Sequence, residues 1–410
     1  MTAKSRRLML AAAFGIACAS HGGVSLAQQR STPRQDSSPA SASAAPSTPL
    51  PGTQVFIGAE AGYDTNLDQR VAKRESRYEM LQGGLSSTYK ASDAESYSLY
   101  LRGRNYTYND LDLSHRYDID AALGARYDWS KSTSLKLGTS WLRDAVPINK
   151  YDSYRSFADL VNEGEQYRLR IKLDSRTDVS FRKDEVQGAL DPDVFSVSRS
   201  RAFDYSKNGS TVSLVMLRQQ MFAPFVIGNY TNIDYFHQDP NPAIDRRANE
   251  YWGVAGVRVT LSPSFYVDLG GRYNYRDFED PLITRHTSAS FDGRFTWKLT
   301  PAWTFNGVIE RQNKEPTTSF GMVDDVMTYE LSTRYRSGQW TLFGRTFLDH
   351  VKPVGDNFNY YKYYWSTGAI YELTKSTDLY ADYLGRYTTD KIYDEQYDRH
   401  RVGGGVRIKF

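Results

Sequence analysis

The chain ends with the segment His400-Arg401-Val402-Gly403-Gly404-Gly405-Val406-Arg407-Ile408-Lys409-Phe410. One alternating set of its residues is apolar or glycine, namely Val402, Gly404, Val406, Ile408 and Phe410. The other set carries the charges, namely Arg401, Arg407 and Lys409. A period of two residues predicts a β-strand whose two faces meet different environments. A last strand that ends on an aromatic residue is typical of a barrel that closes within a membrane, where no strand edge can stay unpaired.

Residues 1–27 have the pattern of a secretory signal peptide. Lys4, Arg6 and Arg7 precede an apolar run, and Ser25-Leu26-Ala27 forms a small-x-small cleavage site. The apolar run is too short to cross a bilayer as a helix. Cys18 lies in this run and suggests a lipoprotein site as the alternative, but Gly15 stands where such sites usually carry leucine. We therefore expect cleavage near Ala27 and delivery to the outer membrane of a Gram-negative bacterium.

The composition of the chain without the signal peptide narrows the class of protein. The sequence has 51 Lys+Arg and 48 Asp+Glu, and loss of the signal peptide removes three bases and no acid. This balance gives no indication of nucleic-acid binding. The single cysteine leaves with the signal peptide, so disulfides and cysteine metal sites are excluded. A mean hydropathy of -0.60 argues against membrane helices, whereas 14% aromatic residues with 31 tyrosines favour a transmembrane barrel.

Residues 28–52 form a leader rich in Pro, Ser and Ala, which we expect to be disordered in the periplasm. From residue 53 to residue 410, short polar turns are predicted to recur about every 40 residues, with two alternating stretches between successive turns. The predicted turns are Ser92-Asp93, Lys131-Ser132, Ser175-Arg176, Gln219-Gln220, Pro263-Ser264, Pro301-Ala302, Gly338-Gln339 and Lys375-Ser376. Longer polar loops are predicted at 147–162, 187–200, 237–248 and 314–324.

This spacing predicts an all-β fold, a transmembrane antiparallel up-and-down barrel of about 18 strands with both termini in the periplasm. Sixteen strands are the alternative count. A repeat near 40 residues also fits a β-propeller, but a blade needs four strands with turns about every ten residues. The stretches here are longer, as in Phe265 to Phe278 and Arg285 to Leu299. Trp129, Trp297, Trp303 and Trp340 lie beside predicted short turns, where an interfacial aromatic girdle is expected.

Alternation assigns the charged residues of each strand to the lumen, because a charge on the lipid face would cost about 2–4 kcal/mol at the midplane. A barrel of this size has room for an aqueous channel. Paired luminal charges that only keep the interior wet are the alternative to solute binding. The predicted channel-lining residues are Arg102, Arg104, Arg126, Arg168, Arg170, Arg258, Arg272, Arg276, Arg334, Arg336, Arg386, Arg401, Arg407, Asp118, Asp120, Asp268, Glu330 and Asp382.

Inward tyrosines are a second possible contact for solutes, because aromatic rings stack on sugar faces. Tyr100, Tyr106 and Tyr380 are expected to face the lumen. Packing and interfacial belts explain most tyrosines of a barrel, so this indication is weak.

The sequence offers little for catalysis. The nearest acid–base pair is Asp349-His350, but neighbours in a strand point to opposite faces. Nucleophile, zinc and phosphate-loop motifs are absent from the sequence. We therefore expect a protein that is not an enzyme and that holds neither a cofactor nor a metal ion.

The first predicted strand, Val55 to Asn66, ends in Tyr63-Asp64-Thr65-Asn66. Together with the last strand it resembles an outer-membrane β-barrel porin family whose first strand commonly ends in Tyr-Asp-Ser/Thr-Asn. In such barrels the terminal residues, here Val402, Val406, Ile408 and Phe410, resemble the signal for membrane insertion by the barrel-assembly machinery. Members are often encoded beside exopolysaccharide synthesis genes. The resemblance implies a passive conduit for a secreted polysaccharide, and export of polymer would require a separate periplasmic partner.

Two other functions remain open. A general or anion-preferring diffusion porin for small solutes would be favoured by loops that fold into the lumen and by trimers. A structural or surface-binding barrel would have a lumen blocked by paired charges and no conductance. In each case the outer wall is expected to contact membrane lipid and lipopolysaccharide.

Overall fold

The computed structural model describes residues 52–65, 75–109, 115–144, 151–180, 204–216, 221–236, 239–240, 243–315, 323–354, 359–390 and 395–410. The predicted signal peptide, almost all of the predicted leader and the predicted loop at 187–200 lie outside these residues. Among the described residues, no helix is long and apolar enough to cross a membrane.

The described chain consists of β-strands joined by turns. Their bounds are β1 Gly52–Asp64, β2 Ser76–Ser92, β3 Glu95–Tyr108, β4 His115–Asp128, β5 Thr133–Asp144, β6 Tyr151–Glu163, β7 Tyr167–Ser180, β8 Tyr205–Met216, β9 Phe222–Tyr235, β10 Asp239–Pro240, β11 Ala243–Ile244, β12 Ala248–Ser262, β13 Phe265–Phe278, β14 His286–Lys298, β15 Trp303–Lys314, β16 Asp324–Ser337, β17 Trp340–Pro353, β18 Tyr360–Thr374, β19 Thr377–Asp390 and β20 Glu395–Lys409. The short β10 and β11 pair only with each other.

The other strands form one closed antiparallel barrel of 18 strands. Each pairs with its neighbours in the sequence, β9 pairs with β12, and β20 returns to pair with β1. They are 12 to 17 residues long, more than the 9–11 residues that a tilted strand needs to cross a bilayer. The predicted fold class and strand number are therefore confirmed.

Six of the eight predicted short turns lie between strands that the structure pairs as hairpins. A seventh, Gln219-Gln220, lies outside the described residues, between the paired strands β8 and β9. The eighth prediction, Ser175-Arg176, is wrong, because β7 runs through both residues and Arg176 binds Asp178. The chain turns instead at Gly164, between β6 and β7, where the Gly164 amide donates to the Tyr167 carbonyl. The predicted loop at 147–162 is also wrong over residues 151–162, because these residues belong to β6. The two errors compensate, so the strand count is unaffected.

The short turns all lie at one end of the barrel, which we call the short-turn end. The chain enters β1 and leaves β20 at this end, where the amide of Phe410 donates to the Val55 carbonyl at 2.8 Å. The outer wall there is aromatic: Trp303 packs on Tyr335 and Trp340 packs on Tyr371, each with ring centroids 4.8 Å apart. Large apolar side chains between the two ends are exposed on the outside, as at Leu81 and Leu269. The exterior thus has the character of a lipid-facing surface.

Tyrosines from both sides cross the seam where β1 meets β20. Tyr78 of β2 lies over β1 and donates to Glu60 at 2.7 Å. Tyr380 of β19 lies over β20 and accepts a hydrogen bond from Gln82 of β2 at 3.1 Å. Both rings need glycine beneath them: a Cβ on Gly62 would lie 2.5 Å from the Tyr78 hydroxyl, and one on Gly405 would lie 2.8 Å from the Tyr380 hydroxyl. The glycines of the terminal strand therefore serve closure of the barrel.

We predict that Gly405→Ala destabilises the barrel while Gly404→Ala does not. A Cβ at position 405 would meet the Ala59 carbonyl oxygen at 2.1 Å, whereas a Cβ at position 404 faces outward with 3.5 Å to its nearest atom. Overpacking of this kind costs about 1–3 kcal/mol. Heat-modifiable migration of the refolded protein on gels gives the unfolding temperature, which should fall for Gly405→Ala alone. Equal unfolding temperatures for the two variants would contradict the role of the seam.

Candidate functional site in the barrel lumen

The strand register places every predicted channel-lining residue on the inward-facing set. In β3 and β13 the outward set contains exposed Leu101 and Leu269, and the alternate set contains buried Arg102 and Arg272. Cross-strand pairing carries this assignment around the barrel. The inward set includes Arg102, Arg104, Asp118, Asp120, Arg126, Arg168, Arg170, Arg258, Asp268, Arg272, Arg276, Glu330, Arg334, Arg336, Asp382, Arg386, Arg401 and Arg407.

Sequence reasoning missed other inward charges. Alternation within β14 and β15 would have found three of them, because Asp292, Arg294 and Glu310 each stand two residues from another inward polar residue. The missed inward charges include Glu60, Asp159, Lys207, Asp292, Arg294, Glu310, Arg345, Asp378 and Arg399.

Many of the inward charges bind each other across adjacent strands. Arg258 of β12 stands directly opposite Asp268 of β13 and binds it through Nε at 2.6 Å and Nη2 at 2.8 Å. Arg104 of β3 likewise stands opposite Asp118 of β4, with 2.8 Å between Nη2 and Oδ2. Opposed charges at such positions stabilise a sheet. The wall of the lumen is therefore a lattice of ion pairs.

In four ion pairs of the half of the lumen near the short turns, the arginine is the more exposed partner. The Arg170 side chain is 25% exposed and Asp159 is 3% exposed, while Arg407 is 31% exposed and Asp378 is 1% exposed. Arg294 with Glu310 and Arg345 with Glu330 follow the same order. The carboxylates are buried in the wall behind the guanidinium groups. A solute in this half of the lumen therefore meets positive charge first.

In the opposite half of the lumen, both members of a pair are buried. This holds for Arg104 with Asp118 and for Arg272 with Asp292. Tyr78, Tyr106 and Tyr108 form a buried cluster beside them, with the Arg401 guanidinium 5.7 Å from the Tyr78 ring centroid. This half is much more densely packed than the half near the short turns.

Glu315, which directly follows β15, reaches residues on distant strands. It binds Lys207 of β8 at 2.6 Å, Arg276 of β13 at 2.9 Å and the hydroxyl of Tyr235 of β9. Four barrel strands, β9, β12, β13 and β14, separate β8 from β15 along the wall. Glu315 must therefore extend into the lumen to make these contacts. Sequence reasoning had placed this residue in an outer loop and gave no signal of the contact.

Flat aromatic surfaces line parts of the lumen wall. Phe157 stands opposite Gly138, Phe225 opposite Gly256 and Phe343 opposite Gly368, and in each pair the ring covers the glycine. The tyrosines Tyr100, Tyr106 and Tyr380 also lie on the inward set, with Tyr106 buried in the tyrosine cluster.

Asp349 and His350 do not form a pair. Asp349 is inward, accepts a hydrogen bond from Thr328 at 2.6 Å and contacts Lys314. His350 is outward and stacks on Tyr361 with ring centroids 4.7 Å apart. Within the described residues, no group of His, Cys, Asp and Glu side chains is arranged to hold a metal ion.

Comparison with known proteins bears on this barrel. The model of the family described as "Putative beta-barrel porin 2" matches residues 56–410. Solved structures with a similar fold include OccK5 (OpdH) and OccK2 (OpdF) from Pseudomonas aeruginosa, at 12% and 10% identity and TM-scores of 0.47 and 0.46. The alignments cover 88% of this chain and 98% and 97% of those chains. A mutant of the ferric enterobactin receptor PfeA from the same organism aligns at 9% identity and a TM-score of 0.44, over 88% of this chain and 81% of that chain. No curated protein matches.

We predict that Glu315→Gln lowers the stability of the barrel. The substitution leaves Arg276, which is fully buried, without its close carboxylate partner. Breaking a buried ion pair from one side costs about 3–5 kcal/mol. Glu163→Gln is the matched control, because the ion pair of Glu163 with Arg168 is exposed and spans 3.5 Å. A smaller fall in unfolding temperature for Glu315→Gln than for Glu163→Gln would contradict this reading.

The effect of Glu315 should depend on pH. Burial alone would raise the pKa of Glu315, but the neighbouring Arg276 and Lys207 outweigh it and hold the pKa below its usual value. A carboxylate with a lowered pKa stabilises the folded state above its unfolded pKa, about 4.3, and loses that contribution as the pH falls through its folded pKa. The difference in unfolding temperature between the native protein and Glu315→Gln should therefore be constant from neutral pH to about pH 5 and shrink in stronger acid.

Proposed function

This chain belongs to the β-barrel porin family whose model matches residues 56–410, and from that premise we propose that it forms a passive diffusion channel for small anionic solutes. The protein is a porin-like β-barrel of the outer membrane. The choice of solute and the manner of its passage are the proposal.

The exposure of the luminal ion pairs carries the proposal. In the half near the short turns, arginines present their guanidinium groups to the lumen while their acidic partners are buried behind them. Guanidinium groups bind carboxylates and phosphates through charge-assisted hydrogen bonds. A water-filled lumen with this surface raises the local concentration of anions and lowers that of cations.

The packing of the opposite half argues for small solutes. Glu315 extends into the lumen and is held there by Lys207 and Arg276. An inward contact of this kind is what distinguishes a diffusion channel from an unobstructed conduit. Any solute must pass the buried charges and tyrosines of this half, and this dense wall favours the passage of small solutes.

The proposal includes no covalent chemistry. Asp349 and His350 point to opposite faces of β17, so neither can serve the other as an acid–base partner. The lumen acts on a solute only by its charge, its width and its hydrogen-bonding groups.

A conduit for a secreted exopolysaccharide is the second candidate. The observation that favours it is the presence of phenylalanine rings lying over glycine at three places on the lumen wall, because such flat apolar faces can contact the rings of a sugar polymer. Under this function the barrel would work with a separate periplasmic partner. Under either function, lipid and lipopolysaccharide surround the aromatic outer wall, and the barrel-assembly machinery inserts the chain.

We predict anion selectivity in a planar bilayer. With a potassium chloride gradient across the membrane, the reversal potential of the native channel should indicate preference for chloride. Arg170→Gln and Arg407→Gln each remove a guanidinium group exposed to the lumen and should shift the reversal potential towards zero. Arg77→Gln is the control, because this arginine is exposed on the outer wall. Cation preference in the native channel would overturn the proposal, and no conductance from a folded barrel would favour a structural role.

The second candidate predicts block by polymer. Dextran fractions of increasing length, added to either side of the bilayer, should interrupt the current for times that grow with chain length if a polysaccharide threads the lumen. Phe225→Leu with Phe343→Leu should shorten these interruptions. If dextran of no length interrupts the current, the conduit function would be contradicted and the diffusion channel would remain.

A further inference from the structure

A cavity of ≈ 180 Å³ opens in the lumen wall near the short turns. Strands β7 to β9 form one side and β12 to β14 form the other. Four arginines line the cavity, namely Arg168, Arg170, Arg258 and Arg294, against two acids, Asp268 and Asp292. An engineered cavity of about 150 Å³ holds one benzene molecule, so this space accommodates a single six-membered ring.

Arg168 is held only weakly by the acidic side chains of the described residues. It lies within electrostatic reach of both Arg170 and Arg258, which repel it. Its contact with Glu163 spans 3.5 Å, and both side chains are more than a third exposed. Its buried Nε has no hydrogen-bond partner among the described residues. Because Arg168, Arg170 and Arg258 line one cavity, an anion bound there would relieve the repulsion among their guanidinium groups.

The neighbouring arginines keep donors free for such an anion. Arg170 binds Asp159 through Nε and Nη2, both at 2.7 Å, and Arg258 binds Asp268 through the same two atoms. This side-on arrangement fixes each guanidinium plane and leaves Nη1 without a hydrogen bond to any described residue. A fixed plane with a free donor loses little freedom when it binds an anion.

The cavity also has aromatic walls. Phe225 covers Gly256, whose Cβ would lie 2.8 Å from the ring, and so lies flat against the wall. Tyr266 stacks beneath the Arg258 guanidinium, 4.8 Å from its ring centroid. A flat apolar face beside a cluster of cations suits a ring that carries a carboxylate. The two acids in the wall reduce the positive charge and disfavour a multiply charged anion.

We infer that this cavity is a binding site for a monocarboxylate sugar acid, held by Arg168, Arg170 and Arg258 through its carboxylate and by Phe225 and Tyr266 through its ring. The inference rests on the proposed anion channel and names a substrate class for it. The site slows the solute at one point of the lumen and thereby selects it over small anions that have no ring.

Calorimetry on the refolded protein in detergent tests the site without reference to conductance. Galacturonate should bind at least tenfold more tightly than galactose, which has the same ring without the carboxylate. Arg168→Gln and Arg258→Gln should each weaken galacturonate about tenfold and leave galactose unchanged. Lys136→Gln is the matched control, because it removes a charge from the inward set of β5, outside the cavity. Equal affinity for the two sugars, or equal loss in the control variant, would overturn the inference.

A substitution that is expected to strengthen binding distinguishes an effect on the site from an effect on folding. Asp268→Asn removes a negative charge from the cavity wall, and its amide oxygen can still accept a hydrogen bond from Arg258 and hold the guanidinium group in place. Galacturonate should then bind several-fold more tightly, whereas mere disturbance of the wall would weaken it. Heat-modifiable migration confirms that each variant is folded.

Single-channel recording distinguishes the failure of this site from the failure of the channel. If the current is anion-selective but galacturonate does not interrupt it, the inferred binding site would be overturned and the proposed anion channel would stand. Galacturonate bound in detergent by a barrel that conducts no ions would support the site and overturn the channel.

Discussion

Closure of the hydrogen-bonded sheet is the constraint on which the rest of this structure depends. In lipid, an unpaired strand edge leaves amides and carbonyls with no partner, so the last strand must find the first. Here β20 pairs with β1 over nine residue pairs, from Phe56 with Lys409 to Asp64 with Arg401. The seam is reinforced from inside by Tyr78 and Tyr380, which lie over glycines and connect β2 and β19 across it. Polar groups on the inner wall thus hold together a barrel whose outer wall is largely apolar between its two ends.

Closure also fixes what the lumen can be. Once apolar side chains face outward, alternation sends the charged residues inward, where they bind partners on adjacent strands. The pairs are not equivalent along the barrel axis. In several pairs near the short turns the arginine faces the lumen and the acid is buried, whereas in the opposite half both partners of a pair are buried. A wall that is nearly balanced in charge can therefore still present a positive surface, because burial decides which partner a solute meets.

The period of two residues was sufficient to predict the class of fold, the strand number and the inward placement of Arg272 or Arg401. It failed where polar residues occur inside a strand. Asp174-Ser175-Arg176 has the composition of a turn, but Asp174 and Arg176 are inward and Arg176 binds Asp178, so the strand continues. The true turn at Gly164 was missed because β6, which precedes it, was predicted to be a loop. The alternation of β6 is interrupted by the outward polar residues Asp152 and Ser156 and by the inward apolar residues Phe157 and Val161.

The sequence by itself determined a barrel with a polar interior, because side-chain direction in a strand follows from the residue number alone. Only the tertiary structure decided which charges meet and which remain exposed. Glu315 joins Lys207 and Arg276, residues far apart in the chain, and Arg168, Arg170 and Arg258 converge from two strands that are not neighbours. Such contacts depend on the curvature and closure of the whole sheet, so no local sequence pattern predicts them.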